Sequence, residues 1–179
     1  AVESPQTTHF SVVDRDGNAV SCTTTLSAAF GSKVVVPGTG ILLANSLGAF
    51  SETGANTVAQ GKRPASSMTP TIVTQSGALK LVLGSPGGDT IPNTVAQVLR
   101  NVVDHGMTID EAAAHARIHH QYLPDQIRVE GQNRPPKTAL DDLVRRGHAL
   151  RFDNIPIGDA NVILVDKDGT FWGYADTRE

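Results

Sequence analysis

The sequence has almost no cysteine, no long hydrophobic run and no excess of basic charge. Its one cysteine, Cys22, cannot form a disulfide within the chain, and a lone cysteine in an apolar stretch is usually buried. No apolar run approaches the roughly 20 residues needed to span a bilayer. Because 18 acidic residues outnumber 15 basic ones, neither nucleic acid nor an anionic membrane is expected as the main partner.

An initiating methionine and a signal peptide are also missing from the start of the chain, which opens AVESPQ. We therefore expect the numbering to begin inside a longer gene product. What is present suits a globular protein: 39% of the 179 residues are hydrophobic and 18% are charged, a balance that allows a packed core. The length fits one compact domain or a large piece of one.

Short runs rich in Val, Ile, Thr and Phe predict three β-hairpins, each with polar residues and glycine in its turn. The hairpins are expected at residues 8–13 with 19–26, 71–73 with 79–83, and 161–165 with 171–174.

Helices are predicted from near Thr90 to before Gly106, after Thr108, and over residues 137–146. Residues 31–62 are rich in Gly, Ser and Asn without periodicity, which is typical of a functional loop. The order of elements predicts an α+β fold in which helices pack on a largely antiparallel sheet.

Five stretches of the sequence together resemble one family. They are QTTHFSVVDRDGNAVSCTTTL from Gln6, RPASSMTP from Arg63, GSPGG from Gly84, ARIHHQYLPD from Ala116 and GYADTR from Gly173. In this order they are similar to the small, C-terminal subunit of gamma-glutamyltransferases, and the resemblance covers nearly the whole chain from Gln6. It implies the αββα sandwich of the N-terminal-nucleophile hydrolases, of which this chain would supply about half.

The resemblance implies that the precursor cuts itself between Gln6 and Thr7 and that Thr7 is the nucleophile. Without it, two threonines entering a strand are structurally ordinary. A threonine hydroxyl needs a nearby base, and the α-amine freed by cleavage has an unperturbed pKa of roughly 7.7–8.0, which suits that task. Thr25 is implied as the hydroxyl that supports Thr7 from the paired strand; the alternative is a strand threonine bonded only to its neighbours.

Two further groups of residues receive roles from the resemblance. The backbone N–H groups of Gly87 and Gly88 are implied as the oxyanion hole. Their position between a strand end and a helix N-terminus suits negative charge, although a Gly-Gly pair is often only a turn. Ser66 and Ser67 are implied as ligands of the substrate's α-carboxylate, which adjacent hydroxyls can bind.

The sequence departs from the family where the substrate's α-ammonium group binds. Ser46 and Ala49 stand where gamma-glutamyltransferases have a Gln and an Asp, and Ser27 stands where they have an Asn. A buried charge without its partner costs about 3–5 kcal/mol, so glutathione is expected to be a poor substrate. Three outcomes stay open: an acylase for glutaryl-type side chains, an enzyme for polyglutamate or another γ-linked amide, or an inactive relative that serves as a binding or assembly domain.

The resemblance also divides the chain and names its partner. Residues 1–6 are expected to be a remnant of the upstream large-subunit segment, and residues 7–179 the catalytic small-subunit-like domain, which pairs with the large-subunit half. While the two parts are joined, Thr7 has no free amine, so the uncut chain is expected to be inactive by itself. The resemblance implies no cofactor. No metal is expected either, because His119 and His120 would point to opposite faces of a strand. Family members suggest a periplasmic or secreted location.

Overall fold

A computed structural model describes residues 6–178 of the chain. The strands are β1 Thr7–Val13, β2 Ala19–Thr25, β3 Thr71–Gln75, β4 Ala78–Gly84, β5 Ile118–His120, β6 Ile127–Glu130, β7 Leu150–Asp153, β8 Asn161–Val165 and β9 Phe171–Ala175. The α-helices are α1 Ile91–Val103, α2 Ile109–Ala114 and α3 Lys137–Arg145. The interpretation of residues 1–6 as an upstream remnant lies, apart from Gln6, outside the described residues.

The first hairpin forms as predicted, and its turn fixes the register of the two strands. The Asp14 carboxylate accepts the backbone N–H groups of Asp16 and Asn18, both at 2.9 Å, and the Asn18 side chain at 2.8 Å. These hydrogen bonds, that of the Asn18 side chain first, lower the pKa of Asp14. The resulting antiparallel register places Thr7 directly opposite Thr25.

The other two predicted hairpins join into one antiparallel sheet in the order β3-β4-β8-β9. Helices α1 and α2 cover one face of this sheet. The core between them is formed by Leu81, Leu83, Ile91, Val95, Val98, Ile109, Ala112, Ala113, Ala160 and Val162. Because side chains alternate along a strand, Val82 points to the other face, where it is also fully buried.

The β1–β2 hairpin covers that other face of the sheet. Ser21 Oγ donates to the Leu83 carbonyl at 2.9 Å, and Ser11 Oγ donates to the Asn161 carbonyl at 3.3 Å. The described residues thus form a helix layer, a sheet and a second, two-stranded β layer. This arrangement corresponds to three layers of an αββα sandwich, with the second β layer only partly present.

A third sheet, in the order β5-β6-β7, was not foreseen from the sequence. Its strands β6 and β7 are parallel, and α3 lies between them in the chain, as a parallel connection requires. His119 in β5 is buried and His120 is exposed, which agrees with their expected opposite directions.

The predicted loop region has little regular structure. One isolated bridge joins Val35 to Leu42, and a short 3-10 helix spans Ser46–Ala49. Cys22 is half-buried, and therefore less buried than expected. Over residues 6–178, no helix has the length and apolar character needed to cross a membrane, and no group of three or more His, Cys, Asp or Glu side chains is placed to hold a metal.

Candidate active site

The two candidate threonines meet at the open end of the hairpin, on the side that faces the four-stranded sheet. Thr7 Oγ1 donates a hydrogen bond of 3.1 Å to Thr25 Oγ1. Thr25 Oγ1 also accepts the backbone N–H of Ser27 at 2.9 Å and lies 3.5 Å from the Gln6 carbonyl oxygen, to which it donates. One hydroxyl therefore connects the candidate nucleophile with the carbonyl of the candidate scissile bond.

This arrangement suits an attack by Thr7 on its own upstream carbonyl. A hydroxyl has one proton to donate and two lone pairs to accept with. Thr25 uses the proton toward the Gln6 oxygen, where negative charge would develop, and the lone pairs toward Thr7 and Ser27. The same contacts orient Thr7 Oγ1 beside the peptide bond that it would break.

Replacing Thr25 with Val is expected to slow this cleavage about tenfold to a hundredfold. Valine keeps the shape of the side chain, but it leaves the Ser27 N–H without its acceptor and removes the donor to Gln6, and an unmade hydrogen bond costs about 1–3 kcal/mol. Thr24→Val is the matched control, because Thr24 is exposed on the outer face of the same strand. Cleavage would be followed by intact-mass measurement. Equal rates for the two variants would contradict the role of Thr25.

The predicted oxyanion glycines lie in a tight turn, residues 85–88, which we call the oxyanion turn. Gly87 has φ of 131° and Gly88 has φ of 55°, conformations that favour glycine. The Gly87 carbonyl accepts the N–H and the hydroxyl of Thr90, at 3.1 and 2.8 Å. A Cβ on Gly87 would lie only 3.0 Å from the Gly158 Cα. Thr90 and Gly158 therefore pack on either side of Gly87. Position 87 requires glycine both because of its positive φ and because a Cβ would not fit.

The two candidate carboxylate ligands have different surroundings. Ser67 is half-buried and its Oγ donates to the Gly88 carbonyl at 2.8 Å, which attaches the serine segment to the oxyanion turn. Ser66 is exposed, and its Oγ accepts the Met68 N–H at 3.2 Å. The structure thus places Ser67 against the turn and leaves the Ser66 side chain facing solvent.

The candidate ammonium-binding residues lie in two segments that a backbone hydrogen bond joins, although 19 positions separate Ser27 from Ser46. Ser27 follows the end of β2 and has φ of 68°. The Asn45 N–H donates to the Leu26 carbonyl at 2.9 Å, which brings the Ser46–Ala49 helix beside Ser27. Ser46 itself is exposed. The loop is therefore positioned against the strand that carries Thr25.

Sequence reasoning missed a buried charged network behind the oxyanion turn. The side chains of Arg117 and Asp176 are 1% and 0% exposed and approach to 2.6 Å, and Arg178 joins Asp176 to Glu130. Arg117 also donates to the Ile157 carbonyl at 2.9 Å and the Gly158 carbonyl at 3.3 Å. The stretches around Arg117 and Arg178 carry the family resemblance without an assigned chemical role, and this network gives them a structural one.

Sequence reasoning also gave His9 no role. His9 is buried at 5% exposure and lies on the same hairpin face as Thr7, packed against Gly84 at the end of β4. One signal in the sequence could have identified His9: side chains alternate along a strand, so Thr7 and His9 lie on the same side of β1.

The comparisons with known proteins identify the family. Residues 1–179 match the family model described as gamma-glutamyltranspeptidase. The chain belongs to the gamma-glutamyltranspeptidase family. It is similar to the glutathione hydrolase proenzyme of Escherichia coli (strain K12), at 43% identity over 188 residues, which covers 98% of this chain and 32% of that relative. The chain thus spans about a third of the length of the curated relatives that it matches.

Solved structures share the fold of this chain. A mutant Helicobacter pylori gamma-glutamyltranspeptidase superimposes with a TM-score of 0.87 at 40% identity, covering 96% of this chain and all of that chain. A cephalosporin acylase from Bacillus halodurans gives a TM-score of 0.82 at 30% identity, covering 95% of this chain and 32% of that one. The α+β fold class of the N-terminal-nucleophile hydrolases is thereby confirmed.

Proposed function

We propose that this chain is the catalytic half of a γ-glutamyl-type amide acyltransferase or hydrolase that works through an acyl-Thr7 ester. The observation that carries the proposal is the hydrogen-bonded chain from Thr7 through Thr25 to the Gln6 carbonyl. It gives the candidate nucleophile a partner, an orientation and a target before cleavage.

The self-cleavage would proceed in two steps. Thr7 Oγ1 attacks the Gln6 carbonyl carbon and gives up its proton, the peptide C–N bond breaks, and the departing Thr7 nitrogen takes up that proton. An ester then joins Gln6 to the Thr7 side chain. Water then hydrolyses this ester, which releases Gln6 as a carboxylate and leaves Thr7 with a free α-amine. That amine supplies the base that a threonine hydroxyl otherwise lacks.

In the acyl transfer that follows, the Thr7 amine takes the hydroxyl proton while Oγ1 attacks the substrate's amide carbon. The N–H groups of Gly87 and Gly88 stabilise the tetrahedral oxyanion, a contribution of about 2.7–4 kcal/mol for one such donor. The departing amine takes the proton and leaves an acyl-Thr7 ester. Water or an acceptor amine then attacks this ester and restores Thr7.

The acyl group is proposed to lack a bound α-ammonium, as in glutaryl amides, or to be polyglutamyl. Ser46 and Ala49 supply no carboxylate to the segment that lies beside Ser27. Residues 27–70 contain three basic side chains, Lys33, Lys62 and Arg63, and one acidic side chain, Glu52. This balance favours an anionic donor over a cationic group. The similarity to a cephalosporin acylase also supports a donor without a bound α-ammonium group.

The proposal is tested with a panel of glutathione, a glutaryl amide and a γ-polyglutamate. We expect the wild-type precursor, once cleaved, to turn over one of the last two substrates with a higher kcat/KM than glutathione. The double variant Ser46→Gln with Ala49→Asp is expected to raise kcat/KM for glutathione at least tenfold, since a charge partner contributes several kcal/mol when buried. The glutaryl amide is the internal control, because its turnover should not rise. Efficient use of glutathione by the wild type would contradict the proposed specificity.

The large-subunit half is proposed to cover the outer face of the hairpin. Phe10, Val12 and Val20 lie on that face and are 46%, 48% and 52% exposed. An αββα sandwich places further strands and a second helix layer there, so these apolar side chains mark where the rest of the fold would pack. A periplasmic or secreted location remains a proposal from the family.

A competing function is a binding or assembly domain that kept the scaffold and lost the chemistry. The substitutions at Ser46 and Ala49 favour it, because they remove substrate contacts while leaving the fold unchanged. A precursor that never cleaves would support this alternative.

A further inference from the structure

His9 has a hydroxyl partner at each ring nitrogen, one on the paired strand β2 and one on its own strand β1. Nδ1 lies 2.7 Å from Thr23 Oγ1, and Nε2 lies 3.1 Å from Ser11 Oγ. Ser11 in turn donates to the Asn161 carbonyl of β8. The imidazole is therefore fixed within the hairpin and, through Ser11, to the sheet below.

The ring also determines how closely the hairpin can approach the end of β4. A Cβ built on Gly84 would overlap the imidazole, at 2.7 Å from Nε2 and closer still to two other ring atoms. Real Cβ atoms do not come this close, so the imidazole occupies the space that a side chain at position 84 would need. Gly84 is followed directly by the oxyanion turn, and His9 stands two positions after Thr7.

The imidazole is held in surroundings that favour its neutral form. Burial lowers the pKa of His9 below its ordinary value of 6.5. The groups that face it are the hydroxyls of Thr23 on β2 and Ser11 on β1 and the Gly84 backbone of β4. A neutral ring has one donor and one acceptor nitrogen. Because the Ser11 hydroxyl donates its proton to the Asn161 carbonyl, the complementary arrangement is Nε2–H donating to Ser11 and Nδ1 accepting from the Thr23 hydroxyl.

We propose that His9 is a positioning residue: its imidazole, packed between the hairpin and Gly84, sets the spacing between Thr7 and the oxyanion turn. The inference rests on the proposed function for its catalytic consequence. Its structural part, the paired fit of His9 and Gly84, stands independently of that function.

The sharpest test is a double-mutant cycle of His9→Ala and Gly84→Ala in the precursor. Each single change is expected to slow self-cleavage at least tenfold, the first by removing the spacer and the second by colliding with it. Because the collision needs the ring, Gly84→Ala should cost little more once His9 is Ala. Such non-additivity is the signature of direct contact. Independent, additive effects would overturn the proposal.

The pH dependence of self-cleavage supplies a second readout, since this step precedes release of the Thr7 amine. As pH falls below 6.5 through the lowered pKa of His9, wild-type cleavage should slow, whereas His9→Gln should lack this acid limb. His120→Gln is the matched control, because His120 is exposed. An acid limb unchanged in His9→Gln would overturn the proposal.

Thermal unfolding of the same four proteins of the cycle separates this inference from the proposed function. If the wild type does not cleave, the proposed function fails, yet Gly84→Ala should still lower the Tm by several degrees only when His9 is present. Equal loss of Tm in both backgrounds would overturn the fit of His9 and Gly84 itself.

Discussion

Replacing Thr7 with Ala is expected to leave the precursor as one uncut chain, with acyl transfer reduced by at least about a millionfold, as for other essential nucleophiles. The variant removes the only atom of the proposed mechanism that can attack the Gln6 carbonyl, and the fold should remain because Thr7 begins a strand and is half-buried. Intact-mass measurement would show a single species for Thr7→Ala and two fragments for the wild type. Thr7→Ser should still cleave, since it retains the hydroxyl.

The neighbouring threonine provides the control for this result. Thr8 is exposed and points to the outer face of the same strand, so Thr8→Ala should cleave at close to the wild-type rate. Cleavage in Thr7→Ala would contradict the assignment of the nucleophile. An intact wild-type precursor would instead favour the non-catalytic alternative, because the geometry would then be present without the reaction.

The local elements of the fold could be predicted because each carries its own signal. The Asp14 to Asn18 turn has side chains that satisfy the backbone of the turn itself, and the alternation on both sides determines the register that pairs Thr7 with Thr25. Helix α1 was predicted from its apolar spacing, with Pro92 in the first turn and Gly106 after the end.

What the sequence could not provide is the assembly of elements that are far apart in the chain. Strands β5, β6 and β7 are only three to four residues long, too short for a periodic signal, and β7 reaches β6 only across α3. The contact of His9 with Gly84 likewise joins positions 75 residues apart. Such pairings depend on packing, which local propensity does not describe.

The candidate site was predictable to a similar degree. The expected roles of Thr7, Thr25 and the two glycines came from the order of motifs. The structure adds one hydrogen bond between Thr7 and Thr25 and another between Ser67 and Gly88. The exposure of Ser66 and the commitment of the Ser67 hydroxyl to Gly88 could not be read from an adjacent pair of serines. These depend on how the serine loop folds against the oxyanion turn.

Changing Asp176 to Asn is expected to destabilise the protein by about 3–5 kcal/mol, because a buried charge pair is broken and its partner charges stay buried. Asp176 accepts from both Arg117 and Arg178, so the change leaves two guanidinium groups with only Glu130 to balance them. The loss is a large part of the 5–15 kcal/mol that typically separates folded from unfolded protein. Chemical denaturation would measure it.

The effect should extend to the oxyanion turn, which the network supports from behind. Arg117 donates hydrogen bonds to the carbonyls of Ile157 and Gly158, and Gly87 packs against the Gly158 backbone. Asp104→Asn is the matched control: its pair with Arg100 is exposed and should contribute only about 0–1 kcal/mol. If the two variants lost equal stability, the buried network would contribute no more than an exposed ion pair. Its support of the oxyanion turn would then be refuted. A larger loss for Asp176→Asn, accompanied by slower self-cleavage in folded protein, would link the C-terminal stretch to the chemistry at Thr7.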